Sequence, residues 1–143
     1  MLRIAKLTDY AAELMVHLSQ SPERRVSAQQ LAAELDLPRP TVATLLKKLG
    51  RAGLVSSARG AGGGYLLARS PGLISVADIV VAIEGPVALT DCAIADGHCE
   101  REKTCATRPH WRAINLAVRA TLTAMNLADM TAPPARMRRM VNG

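Results

Sequence analysis

The chain has 143 residues, enough for one domain or a small domain with a helical extension. It is 49% hydrophobic with no Phe, one Trp and two Tyr, so any core must be aliphatic. No apolar run approaches the ~20 residues that span a bilayer and no signal peptide is apparent, so a cytoplasmic protein with no membrane partner is expected. A formal charge of +6 favours a polyanionic partner. Between Asp36 and Asp78 no acidic residue occurs, while Arg39, Lys47, Lys48, Arg51, Arg59 and Arg69 all fall there. A segment of one sign is an electrostatic footprint for phosphate, although a solvated basic face would show the same pattern.

In chain order, the apolar set Ala11, Leu14, Met15 and Leu18 has helical spacing, with Thr8 or Asp9 as the expected cap. Ser27 is the expected N-cap of a second helix, Ala28 to Leu35. After the connection Asp36-Leu37-Pro38-Arg39-Pro40, a third helix is expected from Thr41. Its Val42, Leu45, Leu46 and Leu49 follow the spacing of a buried stripe. Thr41, Ala43, Thr44, Lys47, Lys48 and Arg51 are left towards solvent. Two short helices joined by a brief turn, the second with a small-polar and basic outer face, predict a helix-turn-helix. Small residues near the start of the second helix permit approach to base edges, and the lysines further along reach phosphates.

Leu54–Ala58 and Tyr65–Ala68 predict two strands around Arg59-Gly60-Ala61-Gly62-Gly63-Gly64, a hairpin wing with an arginine near its tip. The glycines are not a P-loop, because they link two strands and lack the Lys-Ser/Thr pair. Ser75 is expected to cap a helix, Val76 to Glu84, that ends at Gly85-Pro86. Near the C-terminus, Pro109 suits the first turn of a long helix from about His110 to Met130. Trp111, Ile114, Val118, Leu122 and Met125 form one stripe of it, and Leu116, Ala120 and Leu127 spread apolar character to other faces. A helix apolar on several sides calls for a second partner, and a symmetric dimer seam is the natural one.

All three cysteines, Cys92, Cys99 and Cys105, lie in one polar segment between these helices. An odd number crowded into one loop argues against a disulfide framework. The spacing C-x6-C-x5-C suits a loop wrapping a multi-atom cluster better than a zinc knuckle, which uses shorter intervals. Soft thiolate donors leave an iron–sulphur cluster, zinc or bare redox thiols as open alternatives. A fourth ligand is still required, and His98, His110, Asp91, Glu100 or Asp9 from a partner subunit are the candidates. No Ser/His/Asp arrangement, HExxH motif or P-loop is present, so an enzyme acting on a small-molecule substrate is not expected.

Leu7-Thr8-Asp9-Tyr10-Ala11, the helix-turn-helix, the wing through Leu67, Ile83-Glu84-Gly85-Pro86-Val87 and the three-cysteine loop together resemble the winged-helix iron–sulphur regulators. That family includes the Isc and Suf assembly regulators and the nitric-oxide-sensing repressors. The resemblance is strongest to the proteobacterial Suf-system regulator and covers about residues 1–130. It implies a homodimer that binds double-stranded promoter DNA, crosses between subunits through the long helix, and holds a cluster on Cys92, Cys99 and Cys105 to control assembly genes. In the Isc-type pattern a [2Fe-2S] cluster takes a histidine three residues after the third cysteine, where this chain has Arg108. The nitric-oxide-sensing branch uses an aspartate near the N-terminus of the partner subunit for a [4Fe-4S] cluster, and Asp9 falls at that position.

The expected architecture is mainly α with a small β-hairpin wing. Residues 1–85 form a winged helix-turn-helix DNA-binding domain, 86–108 a cysteine-rich cluster-binding loop, 109–131 a dimerisation helix and 132–143 a disordered basic tail. Arg39, Thr41, Ala43, Thr44, Lys47, Lys48, Arg51, Arg59 and Gly60 are the expected DNA contacts. A zinc- or thiol-switched regulator is the alternative, and an electron carrier or cluster-delivery protein the remote one, since it leaves the basic helix and wing without a use.

Overall fold

The computed structural model describes residues 2–132. Its first helix, α1 (Lys6–Gln20), buries Ala11, Leu14, Met15 and Leu18, the stripe expected from their spacing. It starts earlier than expected: Ala5 is the cap residue and offers no side-chain hydrogen bond. Thr8 is 3% exposed, and its hydroxyl donates to the Glu84 carboxylate, which also accepts from the Ala5 amide at 3.2 Å. Asp9 stays exposed in the first turn, where the helix dipole favours a negative charge.

Helix α2 (Ala28–Leu35) begins with a capping box. The Gln30 amide donates to Ser27 Oγ at 3.1 Å, and the Ser27 amide donates to Gln30 Oε1 at 2.9 Å. It ends at Asp36, whose φ of 52° turns the chain in the left-handed region. Helix α3 (Arg39–Arg51) starts two residues before the expected Thr41. Pro40 sits in the first turn, where its missing amide costs no intrahelical bond. Val42, Leu45, Leu46 and Leu49 are buried against α1 and α2.

Strands β1 (Val55–Ala58) and β2 (Gly64–Leu67) pair antiparallel, with Val55 opposite Leu67 and Ser57 opposite Tyr65. Tyr65 also exchanges both backbone hydrogen bonds with Val26, at 3.0 and 2.7 Å, so the segment before α2 is laced to the hairpin. After a 3-10 turn at Pro71–Leu73, helix α4 (Val76–Glu84) is capped by Ser75 and buries Ile79, Val80 and Ile83.

The remainder departs from a single long helix. A one-turn helix α5 (Asp91–Ile94) opens the cysteine segment, and α6 (Arg108–Ala124) stops short of the expected Met130. Met125 is extended, Asn126 caps, and a short α7 (Leu127–Thr131) folds back against α1. Asparagine competes for backbone bonds inside a helix but serves well as a cap, and here its side chain accepts from the Asp129 amide at 3.0 Å. The Val76 amide donates to Met125 O and the Leu127 amide to Ile74 O, both at 2.8 Å. Leu127 is fully buried in the same core as Leu14 and Leu45. It therefore does not share the outward face expected of it. Residues 133–143, most of the expected tail, lie outside the described residues. Among the described residues no helix is long and apolar enough to cross a membrane.

Candidate nucleic-acid interface and cysteine loop

The face of α3 away from the core carries Arg39, Ala43, Thr44, Lys47 and Arg51, all exposed, with Thr41 half-buried beside them. Two of these are small, so a partner can come close near the helix start. Thr44 turns its hydroxyl back to Pro40 O at 3.0 Å. None of Arg39, Lys47, Arg51 or Arg59 enters an ion pair among the described residues, so their charge is available to an outside anion. At the wing, Arg59 and Gly60 are exposed. Gly60 has φ of 96° and accepts a turn hydrogen bond from the Gly63 amide at 2.9 Å. The recognition pair is braced from behind. Glu34 on α2 accepts from Arg24 at 2.8 Å and meets His17 Nε2 of α1 at 2.5 Å, and Arg24 first, then His17, holds its carboxyl below the ordinary range.

Lys48 is placed differently from its expected role. It is half-buried, and its Nζ donates to Ile83 O in the last turn of α4 at 3.1 Å. Sequence reasoning had a signal for this: Lys48 lies between Leu45 and Leu49 on the edge of the buried stripe, so its stem starts at the core boundary. Its partner, 35 positions away, had no such signal.

In the cysteine segment Cys92 is buried in α5, and Cys99 and Cys105 are half-buried; all three thiols are free. The two outer thiols each have a threonine hydroxyl two residues away. Thr90 Oγ1 lies 3.2 Å from Cys92 Sγ, and Thr107 Oγ1 lies 3.3 Å from Cys105 Sγ. The Thr107 hydroxyl, followed by the Thr107 and Arg108 amides and the Arg101 charge, lowers the Cys105 pKa, with desolvation opposing. A thiol pushed towards thiolate is a better nucleophile and a better soft-metal ligand.

Arg108 stands where the Isc-type pattern has a histidine. It pairs with Glu102 and, at 2.9 Å, with Asp96; Arg112 reaches the same Asp96 oxygen at 3.4 Å. Glu102 in turn accepts from the Gly97 amide at 2.5 Å. These pairs tie the middle of the loop to the start of α6, a clasp that spacing alone did not reveal. The fourth-ligand candidates Asp9, Asp91, His98, Glu100 and His110 are all exposed. Among the described residues no three His, Cys, Asp or Glu side chains are gathered to hold a metal ion. The donors thus suit an iron–sulphur cluster in kind, while their placement is not that of an assembled site.

Sequence reasoning also missed Asn115, the buried residue of α6. Its Oδ1 accepts from the Leu89 amide at 3.0 Å and its Nδ2 donates to Val87 O at 3.2 Å. Both hydrogen bonds fix the segment that runs into Cys92. Much of the rest of α6 stays open: Trp111 is 42%, Ile114 45% and Leu116 63% exposed.

The profile of the Rrf2 family, described as an iron-dependent transcriptional regulator, matches residues 4–133. The HTH-type transcriptional regulator IscR of Xenorhabdus nematophila is 30% identical over 130 residues, covering 90% of this chain and 79% of that protein. The putative HTH-type transcriptional regulator BadM of Rhodopseudomonas palustris is 30% identical over 129 residues, 90% of this chain and 81% of that one. Among solved structures, CymR, the global cysteine regulator of B. subtilis, superposes with a TM-score of 0.73 at 31% identity over 92% of this chain and 97% of its own. The T. potens IscR superposes with a TM-score of 0.70 at 32% identity over 90% of this chain and 85% of its own.

Proposed function

This chain belongs to the Rrf2 family of winged-helix transcription regulators, and from that premise we propose that it senses iron–sulphur status through its three cysteines. It is a DNA-binding regulator and not an enzyme. One observation carries the sensing reading: Cys92, Cys99 and Cys105 all sit on the segment joining the DNA-binding core to the open helix α6. The protein then acts in the cytoplasm as a homodimer, with α6 of each subunit covering the other's apolar face. Arg39, Lys47, Arg51 and Arg59 contact phosphates, while Thr41, Ala43, Thr44 and Gly60 allow close approach to the groove.

A cluster, [2Fe-2S] or [4Fe-4S], would be held by the three thiolates, with Asp9 of the partner subunit, or else His110 or His98, as the fourth donor. When bound it supplies charge and covalent links among the three cysteines. The Thr90 and Thr107 hydroxyls steady the outer thiolates, and Arg108 holds Glu102 and Asp96 within the loop. The controlled genes are those of iron–sulphur assembly, the Suf system among them, with the protein as repressor; support for this is the family resemblance and the likeness to IscR proteins.

A second reading, a zinc- or thiol-redox-switched regulator on the same cysteines, is favoured by three free thiols, one of them acidified, and by the likeness to a cysteine regulator. Anaerobic purification with a visible spectrum and iron, sulphide and zinc per chain separates the two. Colour with iron and sulphide, lost in Cys99→Ala, together with at least a tenfold difference in promoter affinity between loaded and cluster-free protein, supports cluster sensing. A colourless zinc-bearing protein, or one that takes up no iron on reconstitution, would move the assignment to the second reading.

A further inference from the structure

Three separate connections meet at the last turn of α4. Carbonyls at a helix C-terminus lack intrahelical partners and carry the negative end of the dipole. The Ile83 carbonyl there accepts from Lys48 Nζ, the ammonium of the recognition helix. The adjacent Glu84 carboxylate holds the start of α1 through Thr8 and the Ala5 amide. Gly85 then turns the chain with φ of 89°, and Val87 to Leu89 are fixed to α6 by both polar atoms of Asn115, three residues before Cys92. Lys47, one position earlier on α3, is exposed and has no such contact among the described residues.

We propose that Lys48 is a positioning residue that ties the recognition helix to the segment leading into Cys92, and that it does not contact phosphate. Its ammonium is directed inward at the Ile83 carbonyl, so a shift of residues 85–92 that is carried into the last turn of α4 changes the seat of α3. Asn115 is the other end of the same strut. It anchors that segment to α6, so movement at the cysteines is delivered to α4 and not dissipated in a slack connection. Contiguity of this kind makes coupling possible, and only a measured coupling establishes it. The inference rests on the reading that cluster loading changes DNA affinity.

The test compares Lys48→Met, which keeps the apolar stem and removes the donor, with Lys47→Met. Promoter affinity is measured across a salt series for full-length protein reconstituted with iron and sulphide and for the same protein after cluster removal. Each phosphate contact contributes about 0.9 to the slope of log affinity against log salt. Lys47→Met should lower that slope by about 0.9 per subunit in both forms. Lys48→Met should leave the slope unchanged and bring the loaded-to-free affinity ratio to within about twofold of one.

A slope that falls as for Lys47→Met, with the ratio intact, would overturn the proposal. So would an equal loss of affinity in both forms with a lowered melting temperature, the mark of a purely structural role. Asn115→Leu, remote from the DNA face, should also collapse the ratio without altering the slope; an intact ratio there counts against the strut. A wild-type protein with no difference between loaded and free forms would sink the sensing reading and this coupling with it. A wild-type difference that survives Lys48→Met would sink the coupling alone.

Discussion

At the scale of single residues, backbone geometry at Gly64 explains why the wing needs glycine at its base. Its φ is +134°, and an added Cβ would lie 2.9 Å from the carbonyl carbon of Val26, in the backbone that pairs with Tyr65. The atoms met there are all Val26 backbone and not the end of a flexible side chain, so the strain has no cheap relief. Gly60 also has positive φ, but nothing lies within 4 Å of its Cβ position. Gly64→Ala should therefore cost on the order of 2–3 kcal/mol, and Gly60→Ala only about 1 kcal/mol. Urea midpoints of the two variants measure this, and equal losses would contradict the close approach to Val26. The run of glycines was legible as a hairpin from sequence; the demand at Gly64 comes from Val26, far earlier in the chain, whereas that at Gly63, where an added Cβ would run into Ala58 O, arises within the hairpin itself.

At the scale of elements, α7 is the piece whose position matters most. Ser75 and Asn126 each start a capping box, with Asp78 and Asp129 as the reciprocal partners, and the two cap residues face each other across an isolated bridge. The chain leaving α6 is thereby stitched to the start of α4, and Leu127 completes the core of the DNA-binding region. Leu127→Ala removes a fully buried side chain and should destabilise the protein by about 3 kcal/mol, within the ~2–5 kcal/mol range of such truncations. Thermal and urea unfolding should show this loss in the whole cooperative transition. A small early transition with an unchanged main one would mean that α7 frays independently of the core. The stop of α6 was hard to read because Trp111 to Leu127 keeps apolar residues near helical spacing across Met125. Asn126 was the available signal, and its capping geometry outweighs the continuing pattern.

For the whole molecule, the open surface of α6 is the dominant unfinished feature. Trp111, Ile114 and Leu116 are exposed together on a helix whose buried residue is polar, an inversion of the usual burial order. Trp111 and Ile114 lie towards one side of the helix and Leu116 towards another, and exposed apolar side chains of this kind suit association with a partner. A second protomer covering them would need to bury roughly 1,200–2,000 Å² in total for a stable pair. Ile114→Glu would place a charge in the proposed seam without touching the protomer core. Sedimentation should then show a monomer, and promoter affinity should fall at least a hundredfold as two half-sites are no longer engaged by one particle. A dimer that survives the substitution would place the seam elsewhere.

Local pattern was sufficient for much of this protein. The spacing of Val42, Leu45, Leu46 and Leu49 sets the recognition helix, Ser27 and Ser75 start helices as caps, and the glycine run marks the wing, because each depends on neighbours within a turn or two. The three cysteines, crowded into one segment between an α4-like pattern and a long apolar one, were likewise evident as a candidate site. Tertiary structure alone decided where polar side chains spend their hydrogen bonds. Lys48 reaches Ile83, Asn115 reaches Val87 and Leu89, and Glu84 reaches Thr8. Each joins elements separated by at least 26 positions, and no periodicity encodes such pairings. Arg108 meets Asp96 and Glu102 only because the loop folds back on the start of α6. Apolar burial follows from a repeating local pattern, whereas the choice of a polar partner follows from which backbone happens to be brought within 3 Å.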